Sequence, residues 1–177
     1  MTIEILEKGS ESFYKETINA AAQYRYLLKN HHYKLKDYFK QYKRLLITCI
    51  VLVLILALMI YFWGSDPFTI SGVIVLIFAA ALCVIYLFNL NRALKTYMAD
   101  PRSSVLTLDD KGVELNKGDE QILRFSWDNV VFVRIFQDSI GFISDVRSGM
   151  LIMVSRDYEK DILAWLSENQ PGLDIAE

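Results

Sequence analysis

Two uninterrupted apolar runs divide the chain. Leu45 to Trp63 is 19 residues without a charge, and Phe68 to Leu90 adds 23 more. A bilayer core of about 30 Å needs roughly 20 apolar residues at 1.5 Å each, and both runs reach that length. Neither shows a polar face. Lipid offers no partner for backbone N–H and C=O, so the expected form is a pair of helices. Gly64-Ser65-Asp66-Pro67 is the short turn between them, which makes the helices antiparallel neighbours. Thr48, Thr69 and Ser71 are small polar breaks in the runs. Ion pathways usually leave an ionisable residue at membrane depth, so the runs speak against a pump. Gly72, Ala79, Ala80 and Cys83 give the second run a face of small side chains, suited to close packing of the hairpin on itself or on a second copy.

Before the first run the period is helical. From Ser10 to Trp63 the sequence has neither proline nor glycine. Ser10 or Ser12 can cap a helix start, with Glu11 in its first turn. Tyr14, Ala21, Leu28, Leu35 and Tyr42 recur every seven residues, flanked by Ile18 and Phe39. That is an amphipathic stripe, expected to continue as one helix into the first run and to be covered by the rest of the chain, by a second copy or by the bilayer surface. Met1 to Leu6 alternates, Ile3 and Ile5 against Thr2 and Glu4, and is expected to add an edge strand to the later sheet.

After Asp100-Pro101 the period changes to two. Val105–Leu108, Val113–Leu115, Gln121–Trp127, Val130–Phe136, Ser139–Ser144 and Met150–Val154 are short, apolar and bounded by turn residues. They read as an antiparallel meander. Ser155 then caps an amphipathic helix with Tyr158, Ile162, Trp165 and Leu166 on one face, ended by Pro171-Gly172. The expected architecture is a membrane α-helical hairpin plus a small α+β domain, an antiparallel sheet closed by a C-terminal helix. The divisions are 1–44, an N-terminal strand and amphipathic helix; 45–63 and 68–90, the spans; 64–67, the external turn; 91–100, a helical extension; and 101–177, the sheet domain.

Charge sets the expected orientation. Lys40, Lys43 and Arg44 precede the first span, Arg92 and Lys95 follow the second, and the turn has no Lys or Arg. The positive-inside rule then puts both termini in the cytoplasm of a multi-pass protein of the plasma (inner) membrane. Tyr61 and Trp63 suit the outer interface and Tyr42 the inner one. A cleaved leader is not expected, because the first apolar run is too long and begins after a charged segment. Residues 1–44 carry nine Lys/Arg against five Asp/Glu, whereas 101–177 carry eight against fourteen. An acidic domain does not suit nucleic acid, whose binding is dominated by phosphate neutralisation. The expectation is that this domain leans on the basic N-terminal helix.

Catalytic patterns are absent from the sequence. It holds no Gly-x-Ser-x-Gly, phosphate loop, dinucleotide fingerprint or His-Glu-x-x-His. Both cysteines lie in the apolar runs. His31-His32 are neighbours that point about 100° apart on a helix, and a zinc site needs three or four ligands, so no metal site is expected. Asp109-Asp110 and Asp119-Glu120 sit at hairpin turns, where Asp serves backbone hydrogen bonding. Arg124, Arg134, Arg147 and Arg156 read as scattered solvated charges or, where two or three share a face, as a receiver of an acidic peptide or lipid head group, and Trp127 reads as a strand-end core or groove residue.

Gly112-Val113-Glu114-Leu115, Phe125-Ser126-Trp127-Asp128-Asn129-Val130, Ile140-Gly141-Phe142-Ile143 and Ser155-Arg156 carry a resemblance. Thr107 to Tyr158 resembles the YcxB-like family of bacterial membrane proteins, in which two spans precede a small domain. Val154-Ser155-Arg156 lacks the proline that the family tends to carry there. The resemblance implies a pleckstrin-homology-like fold, with Trp127, Asp128 and Val130 as its motif, and no activity that transfers to any residue. The expectation is a non-enzymatic interaction or regulatory module without cofactors. Its partners would be membrane lipids and an unidentified protein or second copy. The alternatives are a small component of a membrane enzyme or transport complex, and a sensor of anionic lipid.

Overall fold

The computed structural model describes residues 1–5, 10–64, 67–99, 104–117, 122–145 and 151–176, with the backbone alone at Trp63. It divides into two units, one of Lys36–Lys95 and one of Met1–Leu35 with Thr96–Glu177. Chain from both sides of the apolar hairpin thus folds together.

In the hairpin unit, α3 is Tyr38–Trp63 and α4 is Pro67–Ala99. Asp37 caps α3, its carboxylate accepting from the Lys40 N–H, and Gly64 ends it at φ 86°. Pro67 opens α4, where its missing N–H costs nothing. Both helices are long and apolar enough to cross a membrane, and only 6% of the most apolar window of each is buried. A core helix of a water-soluble domain would be mostly buried. Tyr42, Leu46, Cys49, Val53, Leu56 and Ile60 are among the least exposed residues of α3, spaced four and three apart. Gly72, Leu76, Ala79, Ala80 and Cys83 are among those of α4. A Cβ on Gly72 would meet Leu56 at 3.6 Å, and Tyr42 stacks on Tyr86 at 4.8 Å. The small-residue face therefore serves packing of the hairpin on itself. Thr48 and Ser71 return their hydroxyls to the carbonyls of Arg44 and Pro67, as apolar surroundings require.

In the other unit, two four-stranded sheets replace the single meander expected. The first has the order β1-β2-β3-β4, with β1 Thr2–Ile5, β2 Ser104–Asp109, β3 Gly112–Asn116 and β4 Ile122–Ser126. Thr2 faces Thr107 and Ile5 faces Ser104 in an antiparallel ladder, so the N-terminal segment does add an edge strand. Leu6 lies outside the described residues. The second sheet has the order β7-β6-β5-β8, with β5 Val130–Ile135, β6 Ser139–Ser144, β7 Leu151–Ser155 and β8 Ile175–Ala176. β8 runs parallel to β5, a pairing that no hydrophobic pattern announced.

The sheets differ in burial for a physical reason. β2 and β3 alternate, with Leu106, Leu108, Val113 and Leu115 inward. β6 is buried at every position. Val133, Phe142 and Ile152 pack with the first sheet and with Ile162 and Leu166 of α5, Glu159–Asn169. Their neighbours Phe132, Ile143 and Met153 turn to the opposite face, where Ala20 and Leu27 cover them. A sheet with both faces covered needs apolar residues at consecutive positions rather than alternate ones.

The cover is formed by α1 Glu11–Ala22, α2 Tyr24–Lys29 and an extended strap over residues 30–37. One helix continuing into the first span was expected, and the structure corrects this. Asn30 is extended at φ −147°, and His31, Tyr33 and Leu35 alternate inward along the strap. The stripe is corrected at Ala21, which is exposed, while Leu28 and Leu35 do pack against the second sheet; the covered line of α1 and α2 runs through Phe13, Glu16, Ala20, Gln23 and Leu27.

Candidate functional site

The densest polar chemistry among the described residues lies where α1 and the strap meet β5, β6 and β8. The turn from β5 to β6 is closed by the Phe136 N–H donating to the Ser139 carbonyl at 2.8 Å. Its remaining N–H groups point outward from the ladder. The Glu16 carboxylate accepts from the Gln137 and Asp138 N–H groups, each at 3.0 Å, and from the Ser139 hydroxyl at 2.5 Å. Arg156 serves the same turn from the other side. Its guanidinium donates to the Phe136 and Gln137 carbonyls at 3.3 and 3.4 Å, and pairs with Glu159 at 2.5 Å. A carboxylate takes the turn's donors and a guanidinium takes its acceptors.

The second tie fixes the strap. The His31 ring lies 4.0 Å from Phe132 in a stacked arrangement, and its Nδ1 is 2.6 Å from an Asp174 carboxylate oxygen. Arg134 donates to the His31 carbonyl and places its guanidinium 5.1 Å from the Phe136 ring centre. Arg134 is 7% exposed, and its Nε has no hydrogen-bond partner. Burial pulls the Arg134 pKa down, and the Glu16 carboxylate opposes that shift. Tyr24 donates to the Ser144 and Asp145 carbonyls at 2.7 and 2.9 Å. Burial pushes the Tyr24 phenol up, so it remains a donor at neutral pH.

These groups hold backbone in place. Among the described residues, no group of three His, Cys, Asp or Glu side chains is placed to hold a metal ion. Replacing Glu16 by alanine removes a charged acceptor from three donors. It is expected to lower stability by about 2 kcal/mol. Hydrogen exchange checks this, since the Gln137 and Asp138 amides should speed up before those of β2 and β3.

The residues singled out in the sequence fall elsewhere. Lys40, Lys43, Arg44, Arg92 and Lys95 are exposed on α3 and α4. Tyr61 is 81% exposed, Tyr42 is half-buried in the helix seam against Tyr86, and the Trp63 side chain lies outside the described residues. Trp127 opens a single 3-10 turn rather than ending a strand. Its Nε1 donates to the Asp109 carbonyl at 2.8 Å and its ring stacks on Trp165. Asp128 is exposed and Val130 belongs to the core, so the motif is structural at two of its three positions. Arg124 faces Glu114 across the β3–β4 ladder. The arginines are not all solvated, because Arg134 is buried. Arg147, Asp119 and Glu120 lie outside the described residues.

The expected contact of the sheet domain with the N-terminal helix is present, and its charge basis is corrected. The N-terminal segment docks through apolar packing and through the acid Glu16, while Arg25, Lys29 and Lys34 stay exposed. A charge inside an apolar strand was the available signal, since Arg134 interrupts Val130–Phe136. Such a residue demands buried partners.

Asp109 illustrates the turn chemistry. Its carboxylate accepts from the Lys111 and Gly112 N–H groups at 2.8 and 2.9 Å. The Lys111 backbone bond leads the causes that hold its pKa below the ordinary 3.8. A depressed folded pKa contributes stability above the unfolded value and loses it as pH falls through the folded one. The β2–β3 turn should therefore stay closed at neutral pH and loosen only as pH drops below about 3.8. A carboxyl chemical-shift titration of Asp109 would show it, and Asp109→Asn should flatten that step.

In comparisons with known proteins, no family model, no curated protein and no solved structure matches the chain.

Proposed function

We propose that the chain is a two-span protein of a bacterial inner membrane. Its sheet-and-helix unit is a pleckstrin-homology-like, YcxB-like domain that works as a non-enzymatic interaction or regulatory module. One observation carries this reading. Residues 1–35 and 96–177 form one folded unit, although two membrane-length helices separate them in sequence. An even number of spans returns the chain to the side it left, which is what a unit built from both flanks requires. The Lys/Arg flanks agree, with Lys40, Lys43 and Arg44 before α3's apolar run and Arg92 and Lys95 after that of α4. Both flanks are therefore assigned to the cytoplasm and the 64–67 turn to the outside.

Reporter fusions at residue 66 and at residue 177 test the topology. A periplasm-active reporter should work only at the first site and a cytoplasm-active one only at the second. The same side for both would overturn the hairpin. Native mass spectrometry of the intact protein, released gently from its own membranes, tests the role. A reproducible protein adduct is expected, and a bare chain or homo-oligomer would overturn the interaction reading.

A further inference from the structure

We infer that α2 and the strap form a docking face for an anionic bilayer surface, and that this face orients the sheet domain at the membrane. The inference rests on the two-span reading above and adds the chemistry of the surface recognised.

From Thr17 to Lys36 the sequence holds no Asp or Glu, although the chain as a whole is net −2. Burial sorts the side chains of this stretch. Leu27 is fully buried, while Arg25 and Lys29, one helical turn apart on α2, are exposed. Along the strap the period is two. His31, Tyr33 and Leu35 pack toward the second sheet, and His32 and Lys34 are exposed. Tyr33 stacks on Tyr26 at 5.4 Å, which ties the strap to α2 and brings Lys34 onto surface adjoining that of Arg25 and Lys29. Tyr26 is itself 55% exposed. An exposed tyrosine among lysines and arginines is the composition of a bilayer interface, where the ring lies at headgroup depth and the cations meet lipid phosphates. His31 engages Asp174, an acid in contact with the strap.

The choice of a bilayer over an acidic protein follows from connectivity. The first apolar run begins at Leu45, eleven residues after Lys34. Once that run is in a membrane, the cations meet its surface as a tethered group at high effective concentration, so individually weak contacts suffice. The sequence of residues 101–177 is acidic, with fourteen Asp/Glu against eight Lys/Arg. An anionic leaflet repels that net charge and attracts this face. The strap is tied to the second sheet through His31, Arg134 and Asp174, so an orientation imposed on it is passed to that sheet.

The test uses the full chain in vesicles of phosphatidylcholine alone or with about 30 mol% phosphatidylglycerol. Hydrogen exchange across residues 24–36 should slow at least fivefold in the anionic vesicles, the factor expected from about one cation–surface contact. The slowing should vanish at about 1 M salt, where screening is nearly complete. Arg25→Gln, Lys29→Gln and Lys34→Gln together should abolish it. The exposed pair Lys111→Gln with Lys160→Gln should not. Equal exchange in the two vesicles would overturn the inference. So would the same slowing produced by inorganic phosphate with neutral vesicles, since that would mark a phosphate site instead. Extraction with alkaline carbonate separates the two readings. A chain that leaves the bilayer yet still shows lipid-dependent slowing keeps this inference and overturns the two spans. A chain that stays without the slowing does the reverse.

Discussion

Phe132→Ala is expected to destabilise the sheet unit by about 3–5 kcal/mol. The ring is fully buried on the outer face of the second sheet. Ala20 and Leu27 belong to the same cluster, and the His31 ring stacks on it at 4.0 Å. Truncation leaves a cavity beneath three separate segments, α1, α2 and the strap. Collapse is restricted because Glu16 and Arg156 hold the adjacent turn. The loss should be local before it is global. Hydrogen exchange of the full chain in detergent should speed up first over residues 11–35, then over β5 and β6, and last over β2 and β3. Tyr26→Ala, at a half-exposed ring, serves as the comparison and should stay within about 1 kcal/mol. Equal acceleration in both sheets would show that the helical cover is not a separate layer.

The same layer marks the limit of what the sequence discloses. The two apolar helices were legible because length and composition suffice for them. The strand boundaries were nearly legible, since Ser139–Ser144 is β6 as expected and Val105–Leu108 falls inside β2. The cover was misread because its seam is not wholly apolar. Glu16 and Gln23 occupy the positions between Phe13, Ala20 and Leu27, so the heptad line through Tyr14 and Ala21 looked stronger than the true one. Each polar residue in the seam is satisfied by a bond that exists only after folding, as with Glu16 on the β5–β6 turn. The break after Lys29 was hidden for a similar reason. No proline or glycine marks it. Asp37 caps the next helix and His31 is captured by Phe132 and Asp174, both far away in sequence. The consecutive apolar residues of β5 and β6 were the one visible sign that a second face had to be covered.

Gly112→Ala is expected to cost about 3 kcal/mol, at the upper end for overpacking. Gly112 opens β3 immediately after the Asp109 turn, at φ 158°. A Cβ built there falls 1.9 Å from the Phe125 carbonyl oxygen and 2.9 Å from the Ser126 Cα. Both atoms are backbone of the paired strand β4, so no rotamer change relieves the overlap. The strands must part at the Gly112–Ser126 and Val113–Phe125 pairs. Phe125 is 2% exposed in the core, and Trp127, two residues further, donates to the Asp109 carbonyl. Parting the strands therefore disturbs the core and the Trp127–Trp165 stack together. Gly172 is the control, because a Cβ there meets nothing within 4 Å. Gly172→Ala should change stability by no more than about 0.5 kcal/mol. Thermal unfolding followed by tryptophan fluorescence compares them directly. A Gly112→Ala protein with the transition of the Gly172→Ala protein would mean that β3 and β4 are not held at this separation.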